Sequence, residues 1–404
     1  MLAPRTFLSA LAGVLALLGS TVDARDARAA DDISVDTRSW RPSTDPSANL
    51  VLEPVLTPGP WNWNAGAWFH YALNPVELKV PGSDDKLRPV EHAVATDVTL
   101  NIGLGKIASV GALVPVVLYQ SGQSAASGAS SLPKTVMGDV GLYGKAALVP
   151  NDQGGFGLAA IGTALLPTGA RNGLQGDGST RVGVRLLAEY TLLIIGFQAS
   201  LGFDFRTAER VWNDPRTGPV RFGSSVPWTV GTLLRPGIFG LDGDNRQLWE
   251  IALHGSLPVS PVGPFGAGDP GSALLSPMML ALSDRVAIGR DRDISLIGGV
   301  DIGLTAAIGV PTVRGIVGLS WAPREHDQDR DGVPDDVDQC PEIPEDRDGF
   351  EDGDGCPEID DDDDGIVDAE DKCPRVAGVA QPGSKNGCPL EKGAPEGVPP
   401  GEGK

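Results

Sequence analysis

The side chains best suited to a defined chemistry are aspartates in the last fifth of the chain, where they recur in a fixed phase. Two long copies of the pattern run from Asp327 to Pro341 and from Asp360 to Pro374, and a shorter copy lies between them. Each long copy has aspartates at positions 1, 3 and 5 and a glycine at position 6. Oxygen ligands at this spacing suit Ca²⁺ when the chain wraps around the ion, and the glycine permits the sharp turn.

The pattern therefore predicts calcium as the bound ion. The predicted ligands are Asp327, Asp329, Asp331, Asp335 and Asp338 in the first copy, Asp346, Asp348 and Asp352 in a weaker middle site, and Asp360, Asp362, Asp364, Asp368 and Asp371 in the last copy. An EF-hand would need flanking helices and a glutamate at position 12, where both long copies have aspartate. The alternative is a solvated acidic tail, but a random acidic run would not repeat the phase of glycine and cysteine.

Charge divides the sequence sharply near residue 323. Residues 324–404 contain 26 acidic and 8 basic residues, a net charge of −18, which leaves −3 of the total −21 for everything before them. All four cysteines lie in this acidic part. Such a segment repels itself, so a compact form needs divalent cations between its carboxylates. The acidic balance also excludes nucleic acid as a partner, because a phosphate backbone needs a basic patch.

The first thirty residues have the pattern of an export signal. Arg5 precedes an apolar stretch at residues 7–18, and small residues at 27–30 offer cleavage sites. We interpret residues 1–30 as a signal peptide. An even number of cysteines agrees with export, since disulfides persist outside the reducing cytosol.

The middle of the chain alternates with period two, as β-strands with two different faces do. Between residues 193 and 206, the odd positions include Phe197 and Leu201, whereas the even positions include Gln198 and Asp204. In a soluble sandwich the apolar face would meet another sheet, and in a membrane barrel it meets lipid. The strand length and the export signal favour an all-β protein, a closed antiparallel transmembrane β-barrel over residues 48–322.

Loop lengths predict about 14 strands, with 12 as the fallback. If both barrel termini face the periplasm, a short turn at Asn74-Pro75 falls on the wrong side, and a strand at residues 48–56 corrects the parity. Residues 31–47 would then be a periplasmic segment. The predicted lumen residues, able to line water or pair with one another, are Arg181, Arg185, Glu189, Asp204, Arg246, Glu250, Asp293 and Arg314.

The acidic segment, 323–390, resembles thrombospondin type 3 repeats, with Cys-Pro after each full copy. That resemblance implies little regular secondary structure, folding around calcium, and disulfides between neighbouring repeats. Cysteine order suggests Cys340–Cys356 and Cys373–Cys388, one of the three connectivities that four cysteines allow. The whole layout also resembles myxobacterial outer-membrane proteins of the outer-membrane protein A type. Their peptidoglycan-binding domain has no counterpart in the Pro/Gly-rich tail at 391–404, so that role does not carry over.

Two functions compete, and an enzyme is not expected. His254 and Ser256 stand two apart on one strand, but no other hallmark of an outer-membrane hydrolase is recognisable. The first function is an outer-membrane barrel that anchors a calcium-binding, periplasmic extension with a structural or adhesive role in the cell envelope. The second is a porin-like channel for small solutes. Expected partners are outer-membrane lipid, calcium and other envelope components.

Overall fold

The chain forms two compact units, residues 1–323 and 324–404. The computed structural model describes residues 35–80, 82–105, 107–123, 132–151, 154–170, 173–192, 194–214, 218–259, 275–323, 331, 333, 338–340, 342–380, 383 and 386–389. The predicted signal peptide therefore lies outside the described residues. Among the residues described, no helix is long and apolar enough to span a membrane.

Twelve long strands build the first unit. They are β1 (Trp63–Lys79), β2 (Lys86–Gly103), β3 (Ala108–Ser121), β5 (Val140–Val149), β6 (Gly155–Leu166), β7 (Arg181–Leu192), β8 (Ile195–Arg206), β11 (Ser225–Leu234), β12 (Gln247–Pro258), β13 (Met278–Ile288), β14 (Ile294–Gly303) and β15 (Val313–Trp321). The connections add β4 (Val136–Met137), a hairpin of β9 (Arg210–Asp214) and β10 (Gly218–Phe222), and a 3-10 turn at Pro236–Phe239.

Every long strand pairs antiparallel with its neighbours, and β1 closes the sheet by pairing with β15. The register places Ala65 opposite Trp321 and Leu73 opposite Val313. The predicted closed antiparallel barrel is therefore confirmed. The fallback of twelve strands is confirmed as well, and the expectation of fourteen is wrong.

The two surplus strands have separate causes. The Asn74-Pro75 pair is not a turn but an irregularity inside β1, where the register with β2 shifts between Leu73 and Val76. Such a bulge tolerates the missing N–H of proline, so β1 continues to Lys79 and no parity problem arises. Residues 48–56 form no strand. They lie inside the barrel, and their alternating apolar side chains pack against its wall.

The outward face of the barrel is apolar. On β8, Phe197, Leu201 and Phe203 are exposed, whereas Gln198 and Ser200 point inward and are buried. The other long strands repeat this division, with aliphatic and aromatic side chains outside. A sandwich core would bury those side chains, so the sandwich alternative is excluded.

The two rims of the barrel differ in their connections. At the long-loop rim the strands are joined by residues 80–85, 122–139, 167–180, 207–224, 259–277 and 304–312. At the short-turn rim most connections have two to five residues, and here β1 begins and β15 ends. The long-loop rim carries a hydrophobic cluster in which Trp212 and Phe222 of the β9–β10 hairpin pack with Leu174 and Ile308.

The second unit has turns and bends but neither helix nor strand among its described residues. Disulfides join Cys340 to Cys356 and Cys373 to Cys388, which confirms the predicted pairing. Each bridge closes a short loop of the acidic segment. Little apolar side chain is available to form a core around them.

Candidate functional site

Charged side chains lie close together, with limited access to solvent, in two places. These are the interior of the barrel and the carboxylate clusters of the repeats. The interior contains residues 35–58, which we call the lumen segment. None of these residues is exposed. The segment starts at the long-loop rim, where Thr37 donates to the Leu174 carbonyl at 3.1 Å, and reaches the short-turn rim next to Gly103.

Acidic side chains of the lumen segment pair with cations of the barrel wall. Asp45 lies 3.0 Å from the Nζ of Lys145, and Glu53 lies 2.7 Å from an Nη of Arg185. The Asp36 carboxylate lies 3.3 Å from an Nη of Arg181, and it also forms ion pairs with two arginines of the lumen segment. These pairs are largely shielded from solvent, so each charge depends on its partner.

Backbone groups of the segment are satisfied by wall side chains instead of a strand partner. The Glu250 carboxylate accepts the N–H groups of Leu50 at 3.0 Å and Val51 at 3.2 Å. Glu189 accepts the N–H of Val55 at 3.1 Å. A wall glutamate thus does what a neighbouring strand would do in a sheet, which explains why residues 48–56 remain outside the ladder.

Apolar side chains of the segment complete the packing. Trp40 and Leu50 form a buried cluster with Trp68, Ile297 and Ile316 of the wall. The guanidinium of Arg314 lies 5.4 Å from the centre of the Trp40 ring. The interior is therefore packed as a core, with both the segment and the wall contributing to it.

Six of the eight predicted lumen residues lie in the barrel interior, and the other two lie at a rim. Arg181, Arg185, Glu189 and Glu250 contact the lumen segment, as described above, and Asp204 lines a remaining cavity of about 190 Å³ beside Arg41. Arg314 donates a hydrogen bond to the Asp301 carboxylate at 3.0 Å. Arg246 and Asp293 were wrongly placed, because they precede β12 and β14 at the short-turn rim. The expected periplasmic segment is also wrong for residues 35–47, which lie in the lumen.

His254 has a structural environment. Its Nε2 lies 2.9 Å from Asp301, the same carboxylate that receives Arg314, and both side chains are buried. The Oγ of Ser256 is buried and has no hydrogen-bond partner among the described residues, so it is not paired with His254.

In the second unit the carboxylates approach one another. Four groups have ligand oxygens within 4.8 Å of one another: Glu345, Asp346 and Glu358; Asp348, Asp361 and Asp368; Glu351, Asp354 and Glu358; Asp360, Asp362 and Asp364. The last group is the 1-3-5 set of the final repeat, so the chain wraps there as the spacing predicts.

The other predicted ligands are distributed differently from the predicted sites. Asp368 joins Asp348 and Asp361 across two copies, and Asp346 lies with two glutamates. Asp352 accepts the Gly349 N–H at 2.9 Å, outside these groups. Both oxygens of Asp331 accept backbone N–H groups, from Val333 and Glu345. Asp327, Asp329 and Asp335 lie outside the described residues.

Asp338 and Asp371 have a shared role beside the disulfides. Each accepts the N–H of the cysteine two residues later, at 2.7 Å. Each also faces a glycine in the left-handed region, Gly355 for Asp338 and Gly387 for Asp371, where a Cβ would collide with the carboxylate. Asp354 repeats the bond to Cys356 at 3.1 Å.

Several carboxylate oxygens in these groups lack a partner. Glu345 Oε2, Glu358 Oε2, Asp361 Oδ1, Asp362 Oδ2 and Asp368 Oδ2 are shielded from solvent and accept no hydrogen bond. Desolvation, followed by the charge of Asp364, raises the pKa of Asp362. Burial and the charges of Asp348 and Asp368 raise the pKa of Asp361, although Arg375 opposes them. A cation at these oxygens would offset the repulsion between the carboxylates and favour their ionised forms, so the residues fit a calcium ion.

The sequence pattern missed Glu345, Glu358 and Asp361 as candidate ligands. They stand outside the 1-3-5 positions and reach their groups through the fold. A usable signal was present only for Asp354, which stands two residues before a cysteine as Asp338 and Asp371 do.

Comparisons with known proteins agree with this division of the chain. The family described as thrombospondin type 3 repeat matches residues 325–345 and 345–381. No curated protein sequence matches the chain.

Among solved structures, an outer membrane channel from Pseudomonas putida F1 has 13% identity and a TM-score of 0.49, with coverage of 67% of this chain and 99% of that one. The NanC porin has 10% identity and a TM-score of 0.37, covering 65% and 99%. The translocator domain of autotransporter NalP from Neisseria meningitidis has 8% identity and a TM-score of 0.36, covering 64% and 88%. At these TM-scores the likeness is one of outline, and the closure of the barrel is established by its own strand pairing.

Proposed function

We propose that this protein is an outer-membrane barrel that anchors a calcium-binding repeat unit in the cell envelope. The apolar outward face of a closed barrel carries the proposal. Side chains such as Phe197 and Leu201 are exposed in the part of the chain that the structure describes, and a bilayer would supply the matching surface. The export signal proposed for residues 1–30 agrees with this location.

The repeats lie on the periplasmic side in this proposal. Outer-membrane barrels have short periplasmic turns and longer outer loops. Strand β15 ends at the short-turn rim, so the chain leaves the barrel on that side. The packed lumen favours an anchoring role, structural or adhesive towards other envelope components.

Calcium is the ligand of the repeat unit in this proposal, and the close carboxylates with unpartnered oxygens support it. The test uses the full chain in detergent. Millimolar calcium should protect residues 324–404 from protease, whereas a chelator should expose them. Asp362→Asn should weaken the protection because Asp362 belongs to the 1-3-5 group.

Asp363→Asn is the matched control, because Asp363 stands next to Asp362 in sequence but belongs to none of the four carboxylate groups. It should leave the calcium protection unchanged. If calorimetry finds no calcium uptake at millimolar concentration, the repeat unit is an acidic spacer and the calcium part of the proposal fails.

A further inference from the structure

We propose that the barrel is also a channel for small ions and solutes, held closed by its own lumen segment. The proposal rests on the membrane placement proposed above and adds an activity that anchoring does not need. Its basis is the way in which the wall and the segment share the filling of the interior.

The wall alone does not fill the lumen. Leu52 packs against Ala252 and Ala281, and Val55 packs against Ala147 and Ala159. These small wall residues leave the space that the segment occupies. A barrel of twelve strands is wider than the eight-stranded kind that wall side chains can fill. Withdrawal of the segment would therefore leave a passage.

Glycines of the wall show the same fit. A Cβ at Gly299 would come within 2.6 Å of Leu50 Cδ1, and one at Gly157 within 3.2 Å of Val55 Cγ2. The wall is thus recessed at the positions where the segment approaches most closely. Its surface is shaped for an occupant that is separate from the strands.

The segment can leave without breaking the barrel. Its strand-type pairing among the described residues is one isolated bridge, between Asp36 and Gln175. The remaining contacts include ion pairs, apolar packing and hydrogen bonds in which at least one partner is a side chain, such as the bond from Asn49 Nδ2 to the Leu248 carbonyl. Withdrawal of the segment would expose charged wall side chains, including Lys145, Arg181 and Arg185. Water in the open passage would hydrate them, so they would not be buried without a partner.

Conductance of the full chain in planar bilayers tests the proposal. The unaltered protein should be closed nearly all the time. Glu53→Arg should raise the fraction of time spent open about a hundredfold, because it removes one partner of a buried ion pair and repels Arg185. The charge swap that combines Glu53→Arg with Arg185→Glu should restore closure. Asp244→Arg is the control, since it reverses an exposed charge at the short-turn rim and should leave the channel closed.

Deletion of residues 36–57 provides a second test that does not depend on one pair. The deleted protein should conduct steadily. Correct insertion is scored first, by the heat-modifiable mobility of the folded barrel in gels. An inserted deletion variant that stays closed would overturn the channel proposal and leave the anchor intact. Steady conductance of the unaltered protein, equal to that of the variant, would overturn it too. A barrel that is stable in water without detergent would overturn the membrane placement itself.

Discussion

In the lumen, the carboxylates of Asp45 and Glu53 lie 3.0 and 2.7 Å from cationic nitrogens of the same chain. In the repeats, those of Asp360, Asp362 and Asp364 lie within 4.8 Å of one another. Both regions bring acidic groups together, but only the barrel has basic groups in nearly matching number. The net charge is −3 before residue 324 and −18 from residue 324 onwards. The barrel unit therefore supplies the counter-charges for its buried carboxylates, whereas the proposed calcium ions would supply them for the repeat unit.

The largest effect is expected where the internal pairing is broken. Lys145→Met should destabilise the barrel by about 3 to 5 kcal/mol, because it leaves the Asp45 carboxylate buried without its partner. Denaturant unfolding in detergent measures the loss. Adding Asp45→Asn to Lys145→Met should recover much of it. Equal losses in the single and double variants would show that the pair is not the cause.

The lipid-facing surface provides the next test. Phe197→Arg should cost about 2 to 4 kcal/mol if Phe197 faces the middle of the bilayer. Phe197→Leu is the control, since it keeps the position apolar and should be nearly neutral. Denaturant unfolding in lipid vesicles compares the free energies of unfolding of the two variants. Little difference between them would contradict lipid exposure at this position.

A smaller effect is expected in the repeat unit, where a glycine makes room for a carboxylate. Gly387→Ala should cost at least about 1 to 2 kcal/mol, because φ is +77° and the Cβ would meet Asp371. Gly353→Ala should be tolerated, since nothing lies within 4 Å of the added Cβ and its φ is not left-handed. Protease resistance of the repeats in calcium should fall for the first variant only.

The smallest and most diagnostic effect is on pH dependence. The pKa values of Asp361 and Asp362 are raised in the folded repeats above the ordinary 3.8. Without calcium, the stability that their protonated forms contribute is complete below 3.8 and is lost as pH rises through the raised values. In a chelator the thermal transition of the repeats should therefore move to lower temperature as pH rises from about 4 to 7. Calcium binds the ionised form and should reverse that trend. An unchanged trend in calcium would count against cation binding at this group.

Much of this organisation can be read from local pattern. Period-two alternation along residues 193–206 identified the apolar outward face of β8, because successive side chains of a strand point to opposite sides. The 1-3-5 spacing of Asp360, Asp362 and Asp364 predicted that their carboxylates converge. A local turn of the chain is enough to bring residues so close in sequence together. Cysteine order suggested one of three possible disulfide connectivities, and the structure has that pairing.

Two of the errors, the extra strand at residues 48–56 and the periplasmic segment, involve residues 35–58. The parity of the loops predicted that strand, but residues 48–56 are packed inside the barrel. A sequence shows which side chains are apolar but not which surface covers them. Alternation at β8 also matches a soluble sandwich, until the closed barrel shows that the apolar face of β8 is exposed instead of packed on another sheet.

Local sequence is sufficient to predict the charge division at residue 323, the strand periodicity and the spacing of the repeats, because these depend on neighbours along the chain. The folded structure was needed to show that Glu250 accepts the backbone N–H groups of Leu50 and Val51, and that Asp348 lies beside Asp361 and Asp368. Each of these contacts joins residues brought together by ring closure or by stacking of repeats. Long-range pairs of this kind produce no periodic pattern in the sequence, so sequence analysis did not predict that the lumen is filled.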